Sequence, residues 1–349
     1  MIRFAWLQAR NQTLVAYVLL AALGVAAIVT GIQLSHVYDN LVAHCQTSCG
    51  LATERYLSHD SFMDKTLDIL ARAVPALLGL FWGAPLLARE FETGTYRLAW
   101  TQSVPRHRWL LVRIGIGALA TLTLAGLFSL TVTWWYSSRD KIGSNVYDVF
   151  DRRDIAPIAY ALFAFAAGVM FGALIRRTVP AMAATLGLFV FARIAVAIWI
   201  RPHLLAAKHV IVTLARQGPV QLGVGTSNGG PIQIFAQGGG PANSWTQSSH
   251  FVTRSGQNVS SSELAAFLRH SCASLLNLAP PQSPGVAKVP PNDPGAACLD
   301  HVSRTFRLAV AYQPAGRYWL FQWLEAGIFV VLSALAVAVT YWVVTAKRR

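Results

Sequence analysis

Six stretches of almost unbroken apolar sequence, near 14–34, 73–88, 114–136, 155–175, 178–200 and 318–344, alternate with short polar turns and one long polar insertion. A bilayer core about 30 Å thick needs roughly 20 apolar residues in helical form, so each stretch predicts a membrane-spanning helix and the chain reads as an all-α membrane protein. Three segments follow. Residues 1–200 carry the first five spans, 201–317 form a polar domain outside the bilayer, and 318–349 carry the sixth span and a short tail. The first apolar run is long enough to cross and lacks a small-residue cleavage pattern after it, so it reads as a span and not a signal peptide. Before it, Phe4, Trp6 and Leu7 lie among Arg3, Gln8 and Arg10, a mixture that predicts a short helix lying in the membrane interface.

Composition narrows the picture. Of 349 residues 54% are hydrophobic and only 13% charged, too apolar for a water-soluble enzyme. The formal charge of +14 would point to nucleic acid if spread over a soluble surface, but the basic residues gather at span ends. With the N-terminus inside, Arg3, Arg10, Arg89, Arg97, Arg106, Arg108, Arg113, Arg176, Arg177, Lys347, Arg348 and Arg349 all fall on the cytoplasmic side, and only Glu90 and Glu92 oppose them. The loop between spans three and four instead balances its arginines against Asp140, Asp148, Asp151 and Asp154. This asymmetry follows the positive-inside rule, and it predicts both termini in the cytoplasm and 201–317 outside the cell.

All four cysteines then fall in outer segments, as suits an oxidising compartment. Cys45 and Cys49 share one loop and Cys272 and Cys298 the other, which favours those two pairings and leaves cross-loop bridges open. A metal site at Cys45 and Cys49 is the rival reading, and no second pair with ligand spacing accompanies it. The outer segment is rich in Gly, Ser, Pro, Asn and Gln. It predicts helices at Ser260–Leu276 and Leu299–Ala309, strands near Val210–Leu214 and Ile232–Ala236, and a cap over the spans without a large core of its own.

Motifs for nucleotide chemistry are missing. There is no Gly-x-x-x-x-Gly-Lys-Ser/Thr loop to cradle phosphates, the glycines at Gly223, Gly225, Gly229 and Gly230 do not fit dinucleotide spacing, and no His-Glu-x-x-His helix exists. No cofactor is expected on this chain.

The informative constellation lies between spans two and three: Arg89-Glu90-Phe-Glu92-Thr-Gly94-Thr95-Tyr96-Arg97-Leu-Ala-Trp100, then Pro105-Arg106-His-Arg108. Glu90 and Glu92 carry the span into water, Gly94 permits a change of direction, Thr95 caps a new helix, and Pro105 ends it before Arg106 and Arg108 anchor span three. Tyr96 and Trp100 share one face of that short helix, and Arg97 stays wet. In these residues the chain resembles the permease subunits of type-2 ATP-binding cassette exporters, which carry Arg-Glu-x-x-x-Gly-Thr and then Pro with basic residues after the second span. The segment from Tyr312 to Gly327 looks like the approach to the last span in actinobacterial members. The resemblance implies that this short helix is a coupling helix gripped by a separate ATPase. It implies two ATPase copies that bind ATP and magnesium, a second permease copy in a homodimer, and a bacterial cell membrane as the site of action.

Two ionisable residues lie inside the predicted bilayer. Arg193 is seven residues before the outer end of span five and Glu325 seven after the start of span six, so both sit about 10 Å deep and can pair. The whole reading is a permease that exports a hydrophobic or amphipathic molecule such as a drug, antimicrobial peptide or lipid. An ion-coupled carrier and a non-transporting sensor or assembly factor are the alternatives.

Overall fold

The computed structural model describes residues 2–42, 55–56, 58–59, 61–94, 105–141, 145–214, 220–226, 232–238, 240–241, 243–271 and 301–346. They form two compact units, one of residues 1–204 with 318–349 and the other of residues 205–317. The first unit is helical and the second mixes strands with helix.

Six helices are long and apolar enough to cross a membrane. They are α1 (Ile2–Leu41), α2 (Ser61–Thr93), α3 (Arg106–Asp140), α4 (Ala156–Ile175), α5 (Thr178–His203) and, after the second unit, α7 (Tyr318–Ala346). α1 runs without interruption from Ile2, so the separate interfacial helix expected at the N-terminus is corrected: no Gly or Pro before Gly24 breaks the chain there. α4 is the central helix. It packs against α2, α3, α5 and α7, and most of its side chains are buried, whereas few of those in the α1 span are. The outer faces of α1, α3, α5 and α7 leave many large apolar side chains exposed, among them Leu19, Leu130, Trp199 and Trp342, a pattern that hydrocarbon and not water accommodates.

Small residues set how closely α2 approaches α4. A Cβ built on Gly83 would stand 2.5 Å from the Phe165 carbonyl oxygen, and one on Gly168 would stand 2.5 Å from the Gly79 oxygen and 2.6 Å from the Ala84 nitrogen. The two backbones therefore touch, as small residues at helix crossings allow. Gly115 and Gly126 of α3 have nothing within 4 Å of a built Cβ and make no such contact.

α2 widens into a π turn at Gly79–Gly83, where the Ala84 N–H reaches back five residues to the Gly79 carbonyl. Pro85 has no N–H to offer the carbonyl four residues earlier, and an inserted residue relieves that mismatch. α5 repeats the device at Val196–Ile200, just before Pro202.

The second unit carries the strands expected near Val210–Leu214 and Ile232–Ala236 and adds three more, so the all-α description holds for the helical unit alone. β1 (Lys208–Thr213), β5 (Phe306–Gln313) and β4 (Trp245–Thr253) form an antiparallel sheet with β5 in the centre, and β2 (Val220–Thr226) pairs with β3 (Ile232–Gly238) in a separate hairpin. Between β4 and β5 lies α6 (Ser261–Ser271), opened by a capping box in which the Ser260 N–H donates to Glu263 and the Glu263 N–H donates to the Ser260 hydroxyl. The helix expected over Leu299–Ala309 gives way to β5 at Phe306, because Phe306, Leu308 and Val310 alternate inward with a period of two. With Leu214, Leu268 and Val302 they build a core that the sequence reading did not anticipate.

Candidate functional site

Two polar constellations sit at opposite ends of the helical unit. At the first, α2 ends in Gly94, whose φ of 72° is a left-handed cap that a residue with a Cβ adopts at a cost. α3 starts after Pro105, whose carbonyl accepts the N–H groups of Arg108 and Trp109. The last turn of α2 carries two carboxylates that leave it in different directions. Glu90 is buried and forms an ion pair with Arg113 of α3, whose guanidinium lies 5.4 Å from the Trp109 ring. The expectation that both carboxylates carry α2 into water is corrected for Glu90: a partner two turns into α3 turns it inward. Glu92 is exposed and reaches the start of α5, where its Oε2 accepts from the Thr178 N–H at 3.1 Å and from the Thr178 hydroxyl at 2.7 Å. Arg176, in the tight turn before α5, lies 5.3 Å from the Phe91 ring. Arg89, Arg106 and Arg108 are exposed. Thr95, Tyr96, Arg97 and Trp100 lie outside the described residues, and so does any helix they form.

At the second end, Glu325 of α7 has no exposed surface and accepts four hydrogen bonds. Arg201 grips it with Nε at 2.6 Å and Nη2 at 2.8 Å, the Tyr160 hydroxyl donates at 2.6 Å, and Arg193 Nη1 stands at 3.4 Å. Asp151 closes the group, bonded by Arg201 and 3.6 Å from Arg193. Two guanidinium groups thus face two carboxylates, and the cluster carries no net charge. Burial opposes ionisation of Asp151, but Arg193 and Arg201, with hydrogen bonds from Arg201 and Tyr160, outweigh it and hold the carboxyl below its ordinary range. Arg193 also lies 3.6 Å from the centre of the Tyr160 ring and Arg201 lies 4.5 Å from that of Phe150.

Helix geometry explains why Arg201 belongs to this group. Residues eight apart on a regular α-helix diverge by about 80°, but the extra residue absorbed by a π turn cuts that to about 20°. The turn at Val196–Ile200 therefore brings Arg201 onto the face of Arg193. A reading that assumed regular α spacing saw only the pair of Arg193 and Glu325. Arg201 and Asp151 were missed, and Pro202 was the available signal.

The rest of the segment before α4 extends the network. Arg152 bonds Asp68 of α2 at 2.8 Å and the Tyr136 hydroxyl of α3 at 3.0 Å, Arg153 bonds Asp140 of α3 at 2.8 Å, and the Asp154 carboxylate accepts from the Tyr318 hydroxyl of α7. Four consecutive residues, 151–154, thus each reach a different set of helices.

Between the ends, α1, α2 and α3 enclose an open groove of about 710 Å³ lined only by apolar side chains, including Leu19, Leu23, Leu70, Phe81, Trp82 and Phe128. The cysteines proposed for disulfides, Cys45, Cys49, Cys272 and Cys298, lie outside the described residues.

A family model described as ABC-2 membrane transporter related matches residues 17–201, more than half of the chain. Those residues contain α2, α3 and α4, most of the α1 span and α5 up to Arg201. No curated protein and no solved structure matches.

Proposed function

The chain belongs to the ABC-2 membrane transporter related family, and from that premise we propose that it is the permease subunit of an ATP-binding cassette exporter, moving a hydrophobic or amphipathic molecule out of a bacterial cell. A separate ATPase subunit drives it, and ATP with its magnesium ion binds there and not on this chain. Two permease copies and two ATPase copies make the working unit. Both termini and the 95–104 connection face the cytoplasm, residues 205–317 face the exterior, and the connection forms the coupling helix.

One observation carries this reading. The last turn of α2, which leads into the connection, is tied to two other helices, by Glu90 to Arg113 of α3 and by Glu92 to Thr178 of α5, so a displacement of the end of α2 is passed to those spans. A motor needs such a handle. The wholly apolar lining of the groove between α1, α2 and α3 supports an apolar cargo that enters from the bilayer.

The test reconstitutes the chain in proteoliposomes with the phosphate-loop ATPase that co-purifies with it. ATP turnover rises severalfold over the ATPase alone, and a cysteine placed at exposed Thr93 is labelled only from the cytoplasmic side. Labelling from the exterior, or turnover indifferent to the permease, refutes the reading.

A further inference from the structure

The helical unit is fastened very differently at its two ends. Around Glu325 two half-buried arginines and two carboxylates neutralise one another, and segment 151–154 ties the same end of α2, α3, α5 and α7 together. Separating those helices would strand charges in a medium that solvates them poorly. At the connection end α2 is joined to α3 by a buried ion pair, Glu90 with Arg113, whereas among the described residues its hydrogen bonds to α5 come from one exposed carboxylate, beside the packing of Ala84 and Ala88 on Ala181. The carboxylate contact can break and reform at small cost, because water takes its place.

We propose that Glu92 is the positioning residue through which movement of the connection reaches α5: its carboxylate holds the α5 N-terminus in one nucleotide state of the complex and releases it in another. This rests on the exporter reading above and adds to it a path inside the permease. The chemistry suits the task. The first N–H groups of a helix have no partner within it and carry a partial positive charge, so a carboxylate satisfies a donor and the helix dipole together. Here that carboxylate comes from another helix, so gripping or releasing it changes where α5 starts relative to α2. The π turn at Gly79–Gly83 lies between this last turn and the fixed far end, and gives α2 a place to bend.

Thr178→Pro is the discriminating variant. Thr178 is the first residue of the α5 helix, a position where proline is favoured, and Arg177 before it is already extended with φ −130° and ψ 132° as proline requires. The substitution removes the N–H and the hydroxyl that Glu92 engages and leaves the helix start intact. Spin labels at Thr93, Leu111 and Val179, all exposed, report α2 and α5 against α3 by pulsed dipolar spectroscopy on the permease–ATPase complex in lipid, with and without Mg·ATP. In the otherwise unsubstituted protein both the Thr93–Leu111 and the Val179–Leu111 distances respond to nucleotide. In Thr178→Pro and in Glu92→Ala the first response persists and the second is lost, and cargo moved per ATP hydrolysed falls about fivefold, as expected for the loss of one helix cap. Thr178→Ser, which keeps both donors, restores both readouts. A Val179–Leu111 response that survives in Thr178→Pro overturns this inference and leaves the exporter reading standing. No nucleotide response at either pair in the unsubstituted protein removes both.

Discussion

Replacing Arg201 by methionine tests the account of the buried cluster most directly, because methionine keeps much of the side-chain volume and removes the charge. Glu325 would lose its two shortest arginine contacts, at 2.6 and 2.8 Å, and keep only the Tyr160 hydroxyl and Arg193 at 3.4 Å. Asp151 would lose its Arg201 bond as well, so one guanidinium would face two carboxylates. Two unit charges about 4 Å apart interact by about 4 kcal/mol at an effective dielectric of 20, and breaking one side of a buried pair costs about 3 to 5 kcal/mol. Arg193 moving toward Glu325 offsets part of that, which puts Arg201→Met near the lower figure, about 3 kcal/mol. The double variant Arg201→Met with Glu325→Leu leaves Arg193 opposite Asp151, balanced again, and should recover at least half of the loss. Reversible unfolding in bicelles gives each free energy and the coupling between the two sites. A loss below about 1 kcal/mol for Arg201→Met, or a double variant no more stable than the single, refutes the argument that Glu325 is held chiefly by Arg201.

Exchanging Arg193 and Glu325 keeps the cluster neutral, yet it would set an arginine at position 325 against Arg201; it should therefore fail to restore the stability or transport lost in Arg193→Gln, and full recovery would show that simple pairing of 193 with 325 is the dominant contact. Gly168→Ala drives a Cβ into backbone atoms of α2 at 2.5 and 2.6 Å and should cost about 1 to 3 kcal/mol by thermal unfolding, whereas Gly115→Ala and Gly126→Ala, which meet nothing within 4 Å, should stay near neutral or gain slightly from helix propensity. The Asp151 carboxyl is depressed in the folded chain, so the stability it contributes is present above its unfolded value near 3.8 and is lost as pH falls from there through the folded value. Acid unfolding of Asp151→Asn should accordingly show less dependence on pH below 3.8 than the unsubstituted protein, and a difference confined to neutral pH would contradict the assignment.

The spans were legible because hydrocarbon thickness imposes a length that few other contexts demand, and the helices exceed the apolar runs at both ends only where polar side chains continue the turn. Arg193 and Glu325 stood out for the same reason: charge is rare inside such runs. What the sequence could not display was the company they keep. Arg201 looked like a boundary arginine until the π turn before Pro202 rotated it, and Asp151 looked like one of several loop carboxylates. Glu90 and Glu92 were read alike because they are two residues apart, but two residues on a helix are about 200° apart, which sends one inward to Arg113 and the other outward to Thr178. The sheet of the second unit was half visible in the β-branched run before Leu214. Its central strand was hidden because Phe306 to Gln313 follows a helical turn at 301–305 and contains five residues, Arg307, Leu308, Ala309, Ala311 and Gln313, that favour helix. Period-two burial decided between the two states, and burial is a property of the partners β1 and β4, which lie far away in sequence.

The two ends of the bundle differ in how polar groups are satisfied, and that difference constrains any motion. Where segment 151–154 meets the helices, each charge has its partner inside the protein, and several are well buried, so the helices there move together or not at all. At the other end the exposed link from Glu92 to Thr178 competes with water on nearly equal terms. A force applied at the connection therefore finds its least resistance near its point of application, and α2 can yield at the π turn while Gly79, Gly83, Gly168 and Gly172 hold it against α4. Replacing Pro85 with alanine should return an N–H to the helix and favour regular α geometry. If the π turn is the hinge, transport falls while the stability measured by unfolding stays level or rises. Loss of stability and transport in equal proportion would instead make the turn a packing accommodation.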